Sequence, residues 1–168
     1  MVKVHHVKKA RKDYPEAGIK KGDSYYWWKK RYGGIHRSKT RPTRQQLTSS
    51  PFLASVYDIE DNIADFSVDI EGKSAEEIRE EIENFIDSVV SDLQDLQSEC
   101  EDSLYNMPEQ LQETSEAGML LQERIDMLEE WADELLSISV DIDDDMSKEE
   151  IKDRVNEIID EIINAGGI

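Results

Sequence analysis

Apolar residues recur every three or four positions along residues 52–163, and this spacing is the feature that most restricts the fold. Such a period places the apolar side chains on one face of an α-helix. Two capping boxes, Ser74 to Glu77 and Ser147 to Glu150, predict where two of the helices begin. In each box the serine hydroxyl and the glutamate carboxylate satisfy backbone N–H groups that the first turn leaves unpaired.

Two further helices are predicted to begin at Ser50-Pro51 and at Pro108. From Pro108 the 3-4 spacing continues over three heptads, as in the seam of a coiled coil. The seam consists of Leu121, Ile125, Leu128 and Leu135. We expect it to form the core of the fold or a contact for self-association. The fold class is therefore mainly α, a helical hairpin or bundle of about four helices.

Charge divides the chain near residue 50. Residues 1–50 contain 14 of the 20 Lys and Arg, three Asp or Glu and all three His, whereas residues 51–168 contain 36 of the 39 Asp and Glu. Basic segments attract phosphate polyanions, and acidic segments attract basic partners. We predict two regions, a basic aromatic arm over residues 1–48 and an acidic α-helical body over residues 50–168.

Two runs of strand-forming residues, 24–32 and 35–40, flank Gly33-Gly34 in the basic arm. Glycine tolerates the positive φ of a tight turn, so the pattern predicts a β-hairpin. Residues 1–23 contain few large aliphatic side chains and are interrupted by proline and glycine. We expect that segment to be irregular or mobile.

A two-residue glycine turn would also set the register of the hairpin. It would place Trp28 opposite Lys39 and Lys30 opposite Arg37. Like charges directly opposite each other weaken a ladder, and an isolated two-stranded hairpin is only marginally stable. A hairpin of this kind would be stabilised by an anionic ligand.

Aromatic rings and cations are interleaved along this arm. The cations suit phosphate groups, and flat rings stack on unpaired bases. The predicted nucleic-acid-binding residues are Tyr26, Trp27, Trp28, Lys29, Lys30, Arg31, Tyr32, Arg37, Lys39, Arg41 and Arg44. The alternative is structural, in which the aromatic residues anchor the hairpin and the basic arm docks on the acidic body of the same or a neighbouring molecule.

A basic Trp/Tyr strand, a glycine turn and a second strand ending in Ser-Lys-Thr occur together within residues 24–43. The positions are Tyr26, Trp28, Arg31, Tyr32, Gly33, Gly34, Ser38, Lys39 and Thr40. They resemble the arm-type DNA-binding domain at the N-terminus of phage tyrosine recombinases. The chain departs from that family because it has neither the catalytic domain nor a predicted third strand before the hairpin. The chain as a whole also resembles small phage-encoded proteins without an assigned activity.

Catalytic and metal-binding patterns are lacking in the sequence. Residues 141–145 resemble the start of an EF-hand loop, but Met146 and Lys152 stand where glycine and a bidentate glutamate are required. The histidines have no cysteine or spaced histidine partners. Cys100 follows the apolar spacing and is expected in the core, with a pKa raised by the neighbouring glutamates. We expect a non-enzymatic protein without a metal ion or cofactor.

We therefore predict a nucleic-acid-binding accessory protein of phage or mobile-element type, with DNA or RNA as its partner. One alternative is a regulator or inhibitor whose acidic helices bind a basic protein, as DNA mimics do. Another is a virion or assembly component that forms homo-oligomers through the seam. Since no apolar run approaches the roughly 20 residues that span a bilayer, we expect no membrane contact. The expected location is the cytoplasm, that of the host if the chain is phage-encoded.

Overall fold

The structure, a computed structural model, describes residues 2–30 and 33–166. They group into two compact units, residues 1–58 and 59–168, which we call the N-terminal and C-terminal units. The boundary falls beyond the change in composition near residue 50. The N-terminal unit thus contains the whole basic segment and a short stretch that follows it.

A three-stranded antiparallel sheet forms the centre of the N-terminal unit. Its strands are β1 (Val4–Val7), β2 (Tyr25–Lys29) and β3 (Ile35–Ser38), in the order β1-β2-β3. The expectation of an irregular N-terminus is therefore wrong at β1. This strand is only four residues long, and its stability comes from pairing with β2, which lies far along the chain. Local residue preferences do not report such pairing.

The segment between β1 and β2 is also ordered, contrary to the prediction. It contains a 3-10 turn at Pro15–Ala17. Tyr14 and Ile19 exchange two backbone hydrogen bonds of 2.7 and 3.1 Å across this turn. Ala10, Ile19 and Tyr25 are buried together, so the segment packs against the sheet. A few small apolar residues fix it, and they show no regular spacing.

The predicted hairpin is present, but its register differs. Trp28 pairs with His36 rather than with Lys39, and five residues connect the two strands. The observed register differs from the predicted one by an odd number of residues. Because side chains alternate between faces along a strand, side chains predicted to share a face across β2 and β3 lie on opposite faces. The like-charge pair of Lys30 with Arg37 is not formed, because Lys30 lies beyond the end of β2.

Six α-helices occur in the described part of the chain, which confirms a mainly α fold with more helices than the four predicted. They are α1 (Arg44–Leu47), α2 (Pro51–Asp65), α3 (Ala75–Tyr105), α4 (Glu109–Thr114), α5 (Glu116–Leu136) and α6 (Lys148–Asn164). The two additional helices, α1 and α4, are each shorter than two turns. Among the described helices, none combines the length and apolar composition needed to cross a membrane.

The predicted continuous helix from Pro108 is broken at Ser115. This residue has an extended backbone (φ −94°, ψ 148°), and its hydroxyl accepts a hydrogen bond of 3.0 Å from the Gly118 N–H at the start of α5. A Cβ on Gly118 would lie 2.1 Å from the carbonyl oxygen of Gln112. The break depends on this close approach, which apolar spacing cannot show.

The core of the C-terminal unit is formed mainly where α3 packs along α5. Ile82, Val89 and Leu93 of α3 and Leu128 and Leu135 of α5 are fully buried, as is Ile158 of α6. Both predicted capping boxes are confirmed at the starts of α3 and α6. The Pro51 start of α2 is confirmed as well.

Candidate nucleic-acid interface

The register of the sheet assigns its side chains to two faces. Antiparallel partners share a face, and neighbours along a strand alternate. One face carries His5, Val7, Tyr25, Trp27, Lys29, Ile35 and Arg37. The other carries Val4, His6, Tyr26, Trp28, His36 and Ser38. The predicted nucleic-acid-binding residues are thus divided between the two faces.

Tyr26 and Trp27 are half-buried, each stacked on a histidine of β1. The rings of Trp27 and His5 have centroids 4.2 Å apart and planes 9° from parallel. Tyr26 and His6 stack at 4.7 Å and 25°. Trp27 also packs against the buried cluster beneath the sheet. The ring surface that both residues keep at the solvent is the part available to a nucleic-acid base.

Trp28 occupies a different environment. Its side chain is only 4% exposed, and its ring stacks on His36 with centroids 5.6 Å apart. Its indole Nε1 has no hydrogen-bond partner among the described residues. We therefore assign Trp28 to the core and omit it from the candidate interface.

The described cations of the predicted site lie at or near the surface. Lys29, Lys39, Arg41 and Arg44 are exposed, and Lys30 and Arg37 are half-buried. Lys39 forms an ion pair of 3.3 Å with Asp23. A backbone hydrogen bond from Lys20, followed by the interaction with Lys39, lowers the pKa of Asp23. The predicted residues Arg31 and Tyr32 lie outside the described residues.

Additional surface cations lie in the segment between β1 and β2, for which the sequence predicts an irregular or mobile backbone. They are Lys8, Lys9, Arg11, Lys12, Lys20 and Lys21, all of them exposed. None of the six forms an ion pair with a described residue. In the sequence, the run of cations itself indicated this basic surface. The sequence pattern does not show that the backbone that carries these cations folds against the sheet.

A cleft of about 330 Å³ lies between this segment and β3, with Tyr14 in its lining. We call it the Tyr14 cleft. The guanidinium of Arg37 lies 4.3 Å from the centroid of the Tyr14 ring, and the Lys12 Nζ lies 5.5 Å from it. The carboxylates of Asp13 and Glu16 also line the cleft, which makes its charge balanced rather than strongly positive.

The ionisation of Tyr14 is altered by its neighbours. A hydrogen bond with the Tyr25 hydroxyl, aided by the charges of Arg37 and Lys12, lowers the pKa of Tyr14. The same hydrogen bond raises the pKa of Tyr25. Their ring centroids are 5.5 Å apart. The pair therefore joins the cationic surface to the buried cluster under the sheet.

The seam of the C-terminal unit is mostly enclosed within the chain. Ile125, Leu128 and Leu135 are buried, and Leu121 is half-buried. These residues serve as core, which leaves little of the seam for self-association. Among residues 2–30 and 33–166 there is also no group of three or more His, Cys, Asp or Glu arranged to hold a metal ion.

Comparison with known proteins does not assign this interface. No protein-family model, curated protein or solved structure matches the chain. An assignment must therefore come from the charges, rings and geometry of the residues themselves.

Proposed function

We propose that the protein is a non-enzymatic nucleic-acid-binding accessory protein that acts through its N-terminal unit. In this proposal the exposed cations of the unit contact phosphates, and the accessible parts of Tyr26 and Trp27 contact unpaired bases. Phage or mobile-element origin is part of the same proposal. The observation that carries it is the surface of exposed cations that form no ion pairs with described residues.

The arrangement of these cations favours a polyanion over a single small anion. They are distributed along the segment between β1 and β2, with Lys29 in β2 and Arg41 after β3. A polymer with a phosphate at each residue can contact several of them together, and each contact releases counterions. The backbone that carries the cations is already folded before binding, which lowers the entropy lost on association.

The third strand removes one departure of this chain from the recombinase arm domains that residues 24–43 resemble. The sequence departs from that family in showing no strand before the hairpin, and β1 supplies one. Pairing with β1 also gives the hairpin stabilising contacts from within the chain. The three strands form a sheet with its own buried cluster of Ala10, Ile19 and Tyr25.

The test is fluorescence anisotropy of labelled single- and double-stranded oligonucleotides, titrated with the full chain at several salt concentrations. Three adjacent cations would be removed in the variant Lys29→Ala, Lys30→Ala, Arg31→Ala. Each lost phosphate contact reduces the salt slope by about 0.9 for duplex and about 0.7 for single strands. We expect weaker binding and a slope smaller by about two to three.

A matched control removes three cations from the C-terminal unit, in the variant Lys73→Ala, Lys148→Ala, Lys152→Ala. It changes the net charge of the chain equally, so a general charge effect would weaken both variants alike. The proposal requires that this control bind like the unaltered chain. Absence of salt-dependent binding, or equal losses in the two variants, would refute it.

A second candidate function is binding of a basic protein by the C-terminal unit. One face of α5 presents Asp126, Glu129, Glu130, Asp133 and Glu134, all of them exposed. Carboxylates three and four residues apart on a rigid helix form a continuous negative surface, as a DNA mimic would. Such a surface is also the usual solvated side of an amphipathic helix, so this candidate ranks second.

The second candidate is tested with a lysine-rich peptide as the probe. We expect Glu129→Gln with Asp133→Gln to weaken salt-sensitive binding of the peptide. A control pair on α6, Asp153→Gln with Asp160→Gln, removes the same charge from another helix. Equal effects of the two pairs would show that only the total charge matters and would remove this candidate.

A further inference from the structure

We propose that the C-terminal unit binds a small amphipathic anion, an aliphatic chain that ends in a carboxylate or phosphate group. The site is a cleft of about 580 Å³ formed by the loop before α3, the first turn of α3 and the first turns of α6. Small-molecule sites typically measure about 300–1,000 Å³. We call it the lysine cleft. The residues that carry the proposal are Ile70, Lys73, Ile78, Lys148, Ile151 and Lys152.

Three isoleucines provide the apolar part of the lysine cleft. Ile78 is buried, at 1% exposure, while Ile70 and Ile151 are half-buried. They belong to three different segments, namely the loop, α3 and α6. A ligand with an aliphatic chain would remove the remaining apolar surface of Ile70 and Ile151 from water, which is favourable in proportion to the area covered.

Three lysines provide the charged part, and their concentration here is unusual. Residues 59–168 contain six Lys and Arg against 35 Asp and Glu. Three of these six cations, Lys73, Lys148 and Lys152, line this one cleft. In so acidic a unit, the convergence of half the cations on an apolar cleft indicates a place for a negatively charged group.

Two of these lysines differ from two arginines of the unit, because they form no ion pair within their own helix. Arg79 and Arg154 pair with glutamates one turn away in their own helices. Lys148 and Lys152 form no ion pair with any described residue. Lys148 also stands at the first position of α6, where the partial positive charge of the helix end disfavours a cation.

The remaining charges limit the ligand to a small anion. Lys73 pairs with Glu81, and the carboxylates of Glu71 and Glu149 also line the cleft. The lining thus has three positive and two negative charges, and because Glu81 offsets Lys73, Lys148 and Lys152 are the cations left to contact a ligand. This balance suits one carboxylate or phosphate group on an aliphatic chain and disfavours a polyanion, which the surrounding acidic surface would repel.

The experiment is isothermal titration of the full chain with decanoate at fixed salt concentration. We expect saturable binding that Lys148→Gln with Lys152→Gln weakens about tenfold. Glutamine removes the charge and has a helix preference close to that of lysine. The matched control is Lys20→Gln with Lys21→Gln, two exposed lysines of the basic N-terminal unit. It should bind decanoate like the unaltered chain.

Three further ligands show which chemical features of the ligand are required for binding. Decyltrimethylammonium has the chain with the opposite charge, and acetate has the charge without the chain, so neither should bind. Decyl phosphate compared with decanoate shows which head group is preferred. The loop variant Ile70→Ser tests the apolar part without altering a helix and should also weaken binding.

The proposal is overturned if decanoate does not bind, if the two lysine pairs weaken binding equally, or if Lys148→Gln with Lys152→Gln has no effect. Circular dichroism confirms that each variant is folded. The effect of Lys148→Gln with Lys152→Gln is independent of nucleic-acid binding, because both lysines lie outside the N-terminal unit.

Discussion

Trp28 and His36 are direct partners across β2 and β3, and their rings stack with centroids 5.6 Å apart and planes 18° from parallel. The pairing of these two residues defines the register of the hairpin. In that register Trp28 lies on the face of the sheet that also carries Tyr26, yet the two side chains differ in burial. Trp28 belongs to the core, whereas Tyr26 retains exposed surface that a ligand could contact.

Trp28→Ala should strongly destabilise the N-terminal unit. The side chain is 4% exposed, and truncation of a buried tryptophan costs about 3–5 kcal/mol. Tyr26→Ala, in the neighbouring and half-buried position, should cost clearly less. Urea unfolding followed by circular dichroism measures both. Equal losses would contradict the assignment of Trp28 to the core.

Arg37→Gln should shift the ionisation of Tyr14 to higher pH. The Tyr25 hydroxyl, Arg37 and Lys12 all lower the pKa of Tyr14, so its phenolate forms at lower pH than it would without them. Spectrophotometric titration of the phenolate measures this step, which Tyr14→Phe should remove. Arg79→Gln, with the same loss of charge in the C-terminal unit, is the control. An unchanged titration in Arg37→Gln would exclude this interaction.

Gly118→Ala should destabilise the C-terminal unit. Helix preference alone predicts the opposite, a gain of about 1 kcal/mol for alanine over glycine in a helix interior. The added Cβ would lie 2.1 Å from a backbone oxygen that cannot move freely, and overpacking of this kind costs about 1–3 kcal/mol. The free energy of unfolding, measured in urea, shows whether the substitution stabilises or destabilises the unit. Stabilisation would show that α4 and α5 do not approach closely.

The capping box of α6 should make stability depend on pH in the acid range. Hydrogen bonds with the hydroxyl and backbone N–H of Ser147 lower the pKa of Glu150. Its contribution is therefore fully present above its unfolded pKa of about 4.3 and is lost as pH falls through the lower folded value. Glu150→Gln should reduce stability at neutral pH and weaken this dependence. Urea unfolding at several pH values measures both effects.

Two companion variants support the test of the cap. Ser147→Ala removes the hydroxyl and should cost about 1 kcal/mol. Glu149→Gln alters a carboxylate of the same first turn that takes no part in the capping box, and should leave the cap intact. If Glu149→Gln and Glu150→Gln behaved alike, the effect would belong to the helix end in general.

The Cys100 thiol should react slowly with a thiol reagent until the chain is unfolded. It is 5% exposed, and burial is the largest cause of its raised pKa, with Glu99 and Glu101 adding to it. A raised pKa means that its contribution to stability is complete below the unfolded value of about 8.5 and declines as pH rises through the folded value. Labelling rates at several urea concentrations test whether the folded chain protects the thiol. Fast labelling of the folded chain would contradict it.

The helices were predictable because their causes are local. The capping boxes at Ser74 and Ser147 act within one turn of the chain, and residues such as Ile82 and Ile158 become buried because a 3-4 spacing places them on one helix face. The assignment of Cys100 to the core followed from the same spacing and is confirmed. For the candidate interface, composition predicted which residue types lie in the basic region.

The sequence by itself thus determined the mainly helical fold, the starts of α2, α3 and α6, and the separation of charge between the two ends of the chain. Tertiary structure alone decided that Val4–Val7 adds a third strand, that Trp28 faces His36, and that Ser115 separates α4 from α5. It also decided which cations surround the Tyr14 cleft and the lysine cleft. These features depend on residues that meet only after the chain has folded, and pairing between distant segments is set by packing and register rather than by local preference.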